Sequence, residues 1–390
     1  MRILVLLSRI PWPLEKGDKL RAYNQVKTLA QNNEIILIAL NTDRKADKQK
    51  AFKALQPYCR SVNFIDLSFA GQLMNIMASW IKGLPLQTGY FYNRKAARKI
   101  RQLIGEYKPD LLYGQLIRVA EYIRHEPLPK ALDYQDVFSM GVKRRLHVSA
   151  WLMRPFLMME YKRLKLYEAA VFSDFQLKTI ISKPDRDLIP HPDRKHILVV
   201  PNGVDHDFFR PMAGPKTVDL VFTGNMAYPP NVNAAEFLVR DIMPLVWQQR
   251  PATTVMLAGA TPDPHVRALA SERVKVSGWL DDIRLAYAGA RVFIAPMRIG
   301  TGLQNKLLEA MSMRLPSITT PLANNALEGH DGLNLLLGDD AASLAACILR
   351  LLSDEGFAET LAGNGYEFVH QHYNWAQASA RLEQHFAEIT

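Results

Sequence analysis

The sequence predicts an α/β protein built from two parallel α/β domains of similar design. The order strand, loop, helix, strand occurs twice, at residues 2–40 and again at 218–258. Most of the predicted strands are short and continuously apolar, which is typical of parallel strands buried on both faces. A stretch rich in Pro and Gly, residues 211–216, separates the two copies and indicates a linker. We therefore expect two domains, for which 390 residues are sufficient.

The first domain is assigned to residues 1–211. It begins with an apolar strand at 2–8, a loop that contains Gly17, a helix at 19–31 and a second strand at 34–40. Further apolar runs predict strands, and helical patterns fill the gaps between them. These runs are residues 110–114, 130–133, 176–181 and 197–200.

The second domain is assigned to residues 217–370. A strand at 218–223 leads to Gly224, a loop with two prolines and a helix from about residue 233. The remaining strands are expected at 255–258, 274–277, 292–295 and 317–319. Residues 371–390 are predicted to form a final helix that packs back on the first domain.

The most informative segment lies between the strand that ends at residue 295 and the following helix. Gly300 and Gly302 allow backbone N–H groups to face a ligand, and the helix N-terminus adds positive potential that suits a phosphate. Arg298 and Lys306 flank the turn and can neutralise a diphosphate. Glu309 lies one turn beyond Lys306, where its carboxylate can accept the hydroxyls of a ribose. The alternative is a plain connection with surface charges, and the matched spacing of these residues favours the binding site.

Four motifs resemble those of the family-four retaining glycosyltransferases. They are VPNGVD at 200–205, FTGNM at 222–226, VSGWLDD at 276–282 and LEAM at 308–311. The resemblance implies a GT-B fold, with two Rossmann-like domains that face each other across a cleft. It also implies sugar transfer from a nucleoside-diphosphate sugar with retention of configuration. The motif DYQDVFS at 133–139 is similar to a bacterial subgroup associated with exopolysaccharide and exosortase systems.

The resemblance also assigns site residues. Arg298 and Lys306 are expected to stabilise charge on the leaving diphosphate and are the predicted catalytic residues. Donor binding is expected at Gly17, Gly224, Asn225, Gly278, Gly300, Thr301, Gly302, Leu303 and Glu309.

The chain departs from the family pattern at two places. The first of the family's two glutamates falls on Thr301, and the lysine that often follows the position of Gly224 is missing. That region offers Asn225, Asn231 and Asn233 instead, so Lys306 is expected to supply the lost cation. Two other interpretations therefore stay open, a non-catalytic subunit that binds sugar nucleotides and an epimerase on the same fold.

Three residues of the first domain are candidates for contact with the acceptor or the sugar. Arg21 lies one turn beyond Lys16-Gly17-Asp18, and Asp133 and Asp136 follow a predicted strand, where a parallel sheet places ligand-binding groups. The alternative for Arg21 is a solvated arginine in the first turn of a helix. The alternative for Asp136 is a cap of the next helix.

The charge is unevenly distributed and predicts an anionic partner for the first domain. The net charge is +10, yet residues 301–390 contain 4 Lys and Arg against 11 Asp and Glu. Two stretches, 94–108 and 141–168, mix basic with bulky apolar residues, which suits a peripheral contact with the inner face of the cell membrane and a lipid-linked or saccharide acceptor. The alternative is amphipathic helices whose apolar side is core. Nucleic acid is not expected, because no recognition motif accompanies the charge.

The remaining predictions concern compartment and cofactors. Cys59 and Cys347 are expected to be free thiols in a reducing, cytoplasmic compartment. No cofactor is expected besides the nucleoside-diphosphate sugar as co-substrate. No metal is expected either, since the D-x-D sequence at Asp205 belongs to a turn motif and the one at Asp185 to a loop.

Overall fold

The computed structural model describes residues 1–14, 16–67, 69–81, 83–300 and 302–390, and only the backbone at 69–71, 73–74 and 147–148. The chain divides into two units, each built around one parallel sheet. Unit 1 comprises residues 1–201 and 375–390, and unit 2 comprises residues 202–374. Both sheets confirm the predicted α/β class.

Unit 1 contains a seven-stranded parallel sheet in the order β3-β2-β1-β4-β5-β6-β7. Its strands are β1 Arg2–Leu7, β2 Glu34–Asn41, β3 Ser61–Asp66, β4 Leu111–Gln115, β5 Lys130–Asp133, β6 Leu177–Ile180 and β7 Leu198–Val199. The helices between them are α1 Gly17–Leu29, α2 Lys48–Leu55, α3 Phe69–Ile81, α4 Leu86–Phe91, α5 Arg94–Tyr107, α6 Ala120–Ile123, α7 Phe138–Val148, α8 Arg154–Ala170 and α9 Lys183–Leu188.

Unit 2 contains a six-stranded parallel sheet in the order β10-β9-β8-β11-β12-β13. Its strands are β8 Val218–Thr223, β9 Val255–Ala258, β10 Val274–Gly278, β11 Ala290–Ala295, β12 Ser317–Thr319 and β13 Leu336–Leu337. Its helices are α10 Pro229–Phe237, α11 Met243–Gln249, α12 Pro264–Arg267, α13 Arg284–Ala288, α14 Asn305–Ser312, α15 Pro321–Asn324, α16 Ala341–Ser353 and α17 Glu355–His372. A π-helical turn, Leu238–Ile242, joins α10 to α11.

The last helix, α18 Trp375–Ile389, belongs to unit 1. Leu382 and Phe386 are fully buried in the same core cluster as β1 and β2, and the Phe386 ring lies 5.2 Å from the Tyr113 ring. Burial of two large apolar side chains contributes several kcal/mol, on the order of 2–3 each, and fixes the helix on α1.

The boundary between the units differs from the predicted one. The division falls between Pro201 and Asn202, ahead of the stretch at 211–216 that the sequence favours. Val204 explains the difference, because its N–H donates to the Tyr373 carbonyl at 2.9 Å and its backbone pairs with Asn374. Residues 202–216 therefore lie with unit 2.

The strand order creates one crevice in each unit. In unit 2, β9 and β10 lie on one side of β8. The chain then crosses over, and β11, β12 and β13 lie on the other side. The loops that follow β8 and β11 diverge in opposite directions, and ligands bind at such points of parallel sheets. β1 and β4 have the same relation in unit 1.

Candidate active site

Glycines bring three loops of unit 2 into close contact at the carboxyl end of its sheet. Gly224 follows β8 with φ +152°, and Gly259 follows β9 with φ +142°. A Cβ added at Gly259 would lie 1.8 Å from the Gly224 carbonyl oxygen, so only glycine fits there. Gly278, at the end of β10, has φ +68° and its carbonyl accepts from the Gly259 N–H at 3.2 Å. Sequence reasoning missed Gly259, although it directly follows a predicted buried strand.

Lys306 points from the first turn of α14 toward the loop after β8. Its Nζ donates to Asn231 Oδ1 at 2.5 Å and lies 4.9 Å from the centre of the Phe222 ring. A Cβ at Gly224 would lie 3.4 Å from the same Nζ, which places the ammonium beside this glycine. Burial lowers the pKa of Lys306 from 10.5 to about 7, against an opposing effect of Glu309. With a pKa near 7, Lys306 is readily protonated when an anion binds beside it, because negative charge favours the ammonium form.

Two asparagines hold the two predicted catalytic cations. The buried Asn231 bridges Lys306 and the Asn225 carbonyl, to which its Nδ2 donates at 2.9 Å. Asn233 Oδ1 accepts from Arg298 Nε at 3.2 Å, and the Arg298 guanidinium stacks 4.1 Å from the centre of the Phe237 ring. The asparagines in the region of the missing family lysine therefore position Lys306 and Arg298, a role that the sequence did not reveal.

Glu309 is fixed by a buried tyrosine. The Tyr287 hydroxyl donates to Glu309 Oε2 at 2.7 Å and lies 2.8 Å from Thr223 Oγ1. Burial raises the pKa of the Glu309 carboxyl. Tyr287 engages one of the two carboxylate oxygens, and ribose binding by Glu309 stays a prediction.

Two glycines leave backbone uncovered in the loop between β11 and α14. Gly300 has φ +105°, and, apart from the chain neighbours, no atom of the described residues lies within 4 Å of a Cβ built at Gly300 or Gly302. The Gln304 side chain donates to the Gly302 carbonyl at 2.9 Å and does not cap α14. The N–H groups of the first turn of α14 therefore lack this cap, as an anion site requires.

The other predicted donor residues have separate environments. The side chain of Leu303 packs against the core of unit 2, which leaves its backbone for the predicted contact. Asn225 is exposed, and its Oδ1 accepts from the Ala227 N–H at 3.0 Å. Gly17 lies in unit 1 as the first residue of α1, and its donor role stays a prediction. Thr301 lies outside the described residues.

Two of the predicted acceptor residues of unit 1 are structural, and that prediction was wrong. Arg21 and Asp133 are both fully buried, and Arg21 Nε donates to Asp133 Oδ2 at 2.6 Å. Arg21 also donates to the Val200 carbonyl at 2.9 Å, and Asp133 accepts from Thr179 Oγ1 at 2.9 Å. A pair with no exposed surface and these internal partners cannot contact an acceptor, and Arg21 is not the solvated arginine of the alternative either.

Asp136 is exposed and does not cap α7. Its Oδ1 accepts from the N–H of the next residue, Val137, at 2.6 Å. The first turn of α7 is held by the buried Glu168, which accepts from the Ser139 N–H at 3.0 Å and from the Ser139 hydroxyl. Of the three candidates in unit 1, Asp136 alone keeps an accessible carboxylate.

A known domain coincides with this site. The family model described as Glycosyl transferases group 1 matches residues 217–354. The matched segment makes up most of unit 2. It contains Gly224, Asn231, Arg298, Lys306 and Glu309 and confirms the predicted enzyme class, a glycosyltransferase.

Similarity to other proteins covers nearly the whole chain. An uncharacterized 44.6 kDa protein in the cps region of Klebsiella pneumoniae is 19% identical over 402 residues, 96% of each chain. Sucrose-phosphate synthase from Thermosynechococcus elongatus superposes with a TM-score of 0.73 at 16% identity, over 100% of this chain and 99% of that one. Alr3699/HepE of Anabaena, in complex with UDP-glucose, gives a TM-score of 0.69 at 15% identity over 99% of both chains. These structures confirm the GT-B fold.

Proposed function

We propose that the protein transfers a sugar from a nucleoside-diphosphate sugar to an acceptor hydroxyl with retention of configuration. The observation that carries the proposal is the position of Lys306, beside Gly224 and one turn before Glu309, at the crevice between β8 and β11. A partly buried cation, flexible glycine backbone and a helix N-terminus form a site suited to a diphosphate. The complex of HepE with UDP-glucose supports a nucleotide sugar as the ligand.

In this proposal the cations act on the leaving group. Lys306 and Arg298 contact the diphosphate and stabilise the charge that grows on it as the bond to the sugar breaks. The acceptor hydroxyl attacks from the face that the diphosphate leaves, and a phosphate oxygen takes the hydroxyl proton. Glu309 orients the nucleotide through its ribose, and Asn231 and Asn233 keep the two cations in place.

The biological setting proposed is synthesis of a cell-surface polysaccharide on the cytoplasmic side of the membrane. The Klebsiella relative in a cps region supports this setting. A lipid-linked or saccharide acceptor is proposed for unit 1, where Asp136 is exposed. No helix in the described parts of the chain is both long and apolar enough to cross a membrane.

A panel of nucleotide sugars, with and without saccharide and lipid-linked acceptors, tests the proposal. We expect acceptor-dependent release of nucleoside diphosphate with one donor and an anomeric configuration that is retained in the product. Binding without turnover would instead identify a non-catalytic subunit. An isomerised sugar formed without acceptor would identify an epimerase.

The same assay tests the role of Lys306. Lys306→Ala should lower kcat by about 100-fold or more, the usual loss when one charge-stabilising group is removed. Lys275→Ala, which removes an exposed lysine of the same unit, is the matched control and should keep the wild-type rate. Near-normal transfer by a folded Lys306→Ala protein would contradict the assigned role.

A further inference from the structure

Two neighbouring parts of unit 1 expose large apolar side chains. At the end of α3, Trp80 and Ile81 are 56% and 85% exposed. In the turn before α8, Trp151 and Leu152 are 73% and 70% exposed, and Phe156 follows in the first turn of that helix at 45%. Monomeric proteins rarely expose so many large apolar groups close together, and such patches indicate a contact surface.

The two parts form one surface, because α3 and the segment after it are attached to α8. The Trp80 indole N–H lies 3.3 Å from Met159 Sδ. Farther along α8, the Glu160 carboxylate accepts from the Leu86 N–H at 2.9 Å, at the start of α4. We call the exposed side chains of Trp80, Ile81, Trp151, Leu152 and Phe156 the α3–α8 surface.

The charge around this surface is positive. From Val137 to Met159 the sequence contains no Asp or Glu, while Lys143, Arg145 and Arg154 in this stretch are exposed. Arg154 lies beside Trp151 of this surface, and both line a groove of about 420 Å³ together with Leu146, Pro155 and Met158. The exposed cations Lys143, Arg145 and Arg154 therefore lie on the same part of unit 1 as the exposed apolar groups.

Composition alone does not produce this arrangement, as α5 shows. Its sequence is also both basic and apolar, and it predicts the same membrane contact. In the structure Ala96, Ala97, Ile100, Leu103 and Ile104 of α5 are buried in the core of unit 1. The membrane interpretation of residues 94–108 was wrong for that reason, whereas the apolar groups at 151–156 face outward.

We propose that the α3–α8 surface docks on an anionic lipid bilayer. Tryptophan, leucine and phenylalanine side chains insert at the boundary between headgroups and acyl chains, and lysine and arginine bind the anionic headgroups. A lipid surface satisfies both features at once, because it offers apolar chains directly beneath negative charge. The inference concerns unit 1 and does not depend on chemistry in unit 2.

Vesicle flotation tests the proposal with the full chain at low salt. Vesicles of phosphatidylcholine are compared with vesicles that contain about 30% phosphatidylglycerol, since docking is expected to need anionic lipid. We expect the protein to float with the anionic vesicles and about tenfold less with the neutral ones. Raising the salt to about 1 M should release most of it, because the screening length then falls to about 3 Å.

Variants test whether the residues of the α3–α8 surface and the nearby arginines are responsible for the binding to vesicles. Trp151→Ser with Leu152→Ser should lower the floating fraction about tenfold, and Arg145→Glu with Arg154→Glu should abolish the preference for anionic vesicles. Phe52→Ser, which removes an exposed aromatic of α2 in the same unit, should float like the wild type. Lys306→Ala should also float normally, which separates this proposal from the proposed function. Thermal unfolding confirms that each variant is folded.

Three outcomes would overturn the proposal. The wild type could stay unbound with anionic vesicles at low salt, or the Trp151→Ser, Leu152→Ser protein could float like the wild type. Sedimentation could also show a dimer that the same double variant dissociates, which would assign the surface to a second copy of the chain.

Discussion

At the scale of single residues, we expect Lys306 to couple the proposed nucleotide binding to pH. Its pKa is lowered to about 7 by burial, and a bound diphosphate raises that pKa again because it adds negative charge. Binding therefore takes up a proton, and affinity should fall as the pH rises from about 7 to about 9, by up to about tenfold per unit. A nucleotide sugar is the suitable ligand, since its diphosphate diester does not titrate in this range.

Calorimetry in buffers of different ionisation enthalpy measures both the affinity and the proton uptake. Lys306→Met should bind more weakly and show little dependence on pH, and Lys275→Ala should behave like the wild type. Equal affinity of the wild type across this range, without proton uptake, would show that Lys306 does not contact the diphosphate.

The polar residues near the strand ends differ in how far their roles could be predicted from one sequence. Lys306 and Glu309 were recognisable because glycines and a helix start lie beside them in sequence. Arg21 and Asp133 gave a similar signal, yet they neutralise each other across 112 positions of the chain. Such a pairing depends on tertiary packing, and nothing local distinguishes a buried ion pair from a ligand site. The link from Asn231 to Lys306 spans 75 positions and was missed for the same reason.

At the scale of elements, α8 holds the N-termini of two other helices with carboxylates. Glu160 accepts from the first N–H groups of α4, and Glu168 accepts from those of α7. Burial raises the pKa of Glu168 from 4.5 to about 7, although its hydrogen bonds with Ser139 oppose the shift. The Glu168 carboxylate therefore stabilises the first turn of α7 through its hydrogen bonds, whereas burial of its ionised form lowers the stability of the fold.

This cost predicts a pH dependence of stability. Between the two pKa values, 4.5 and about 7, the folded state binds more protons at Glu168 than the unfolded state does. The contribution of Glu168 to stability is therefore fully present below about pH 4.5, is lost as the pH rises to about 7 and does not change further above that, a loss on the order of 3 kcal/mol. The free energy of unfolding in urea, wild type minus Glu168→Gln, should follow this course. For the control Glu106→Gln, which changes an exposed residue, the free energy of unfolding plotted against pH should run parallel to that of the wild type. A parallel plot for Glu168→Gln would contradict the prediction.

The strands themselves were largely predictable from continuous apolar runs. Two were missed. β3 lies at a sheet edge, and its residues Ser61 to Ile65 are only partly buried, so polar and apolar residues are mixed in its sequence. β13 has only two residues, and none of the expected strands covered them.

At the scale of the whole molecule, unit 1 depends on the end of the chain. Phe386 is fully buried and its ring packs on Tyr113, so Phe386→Ala should lower the free energy of unfolding by about 3–5 kcal/mol. Gln384→Ala, an exposed change on the same helix, should lie within about 0.5 kcal/mol of the wild type. Urea unfolding measures both. An unchanged midpoint for Phe386→Ala would show that α18 adds nothing to the stability of unit 1.

The return of α18 to unit 1 has a consequence for biosynthesis. A ribosome completes residues 1–201 long before it reaches Trp375, yet the apolar face of α1 and β1 receives Leu382 and Phe386 only after residues 202–374 have emerged. Unit 2 is continuous in the chain and can fold as it leaves the exit tunnel. Unit 1 keeps the apolar face of α1 and β1 exposed until α18 has been synthesised. The domain translated first is therefore the one whose core is completed last, and the nascent chain exposes that face throughout the translation of unit 2.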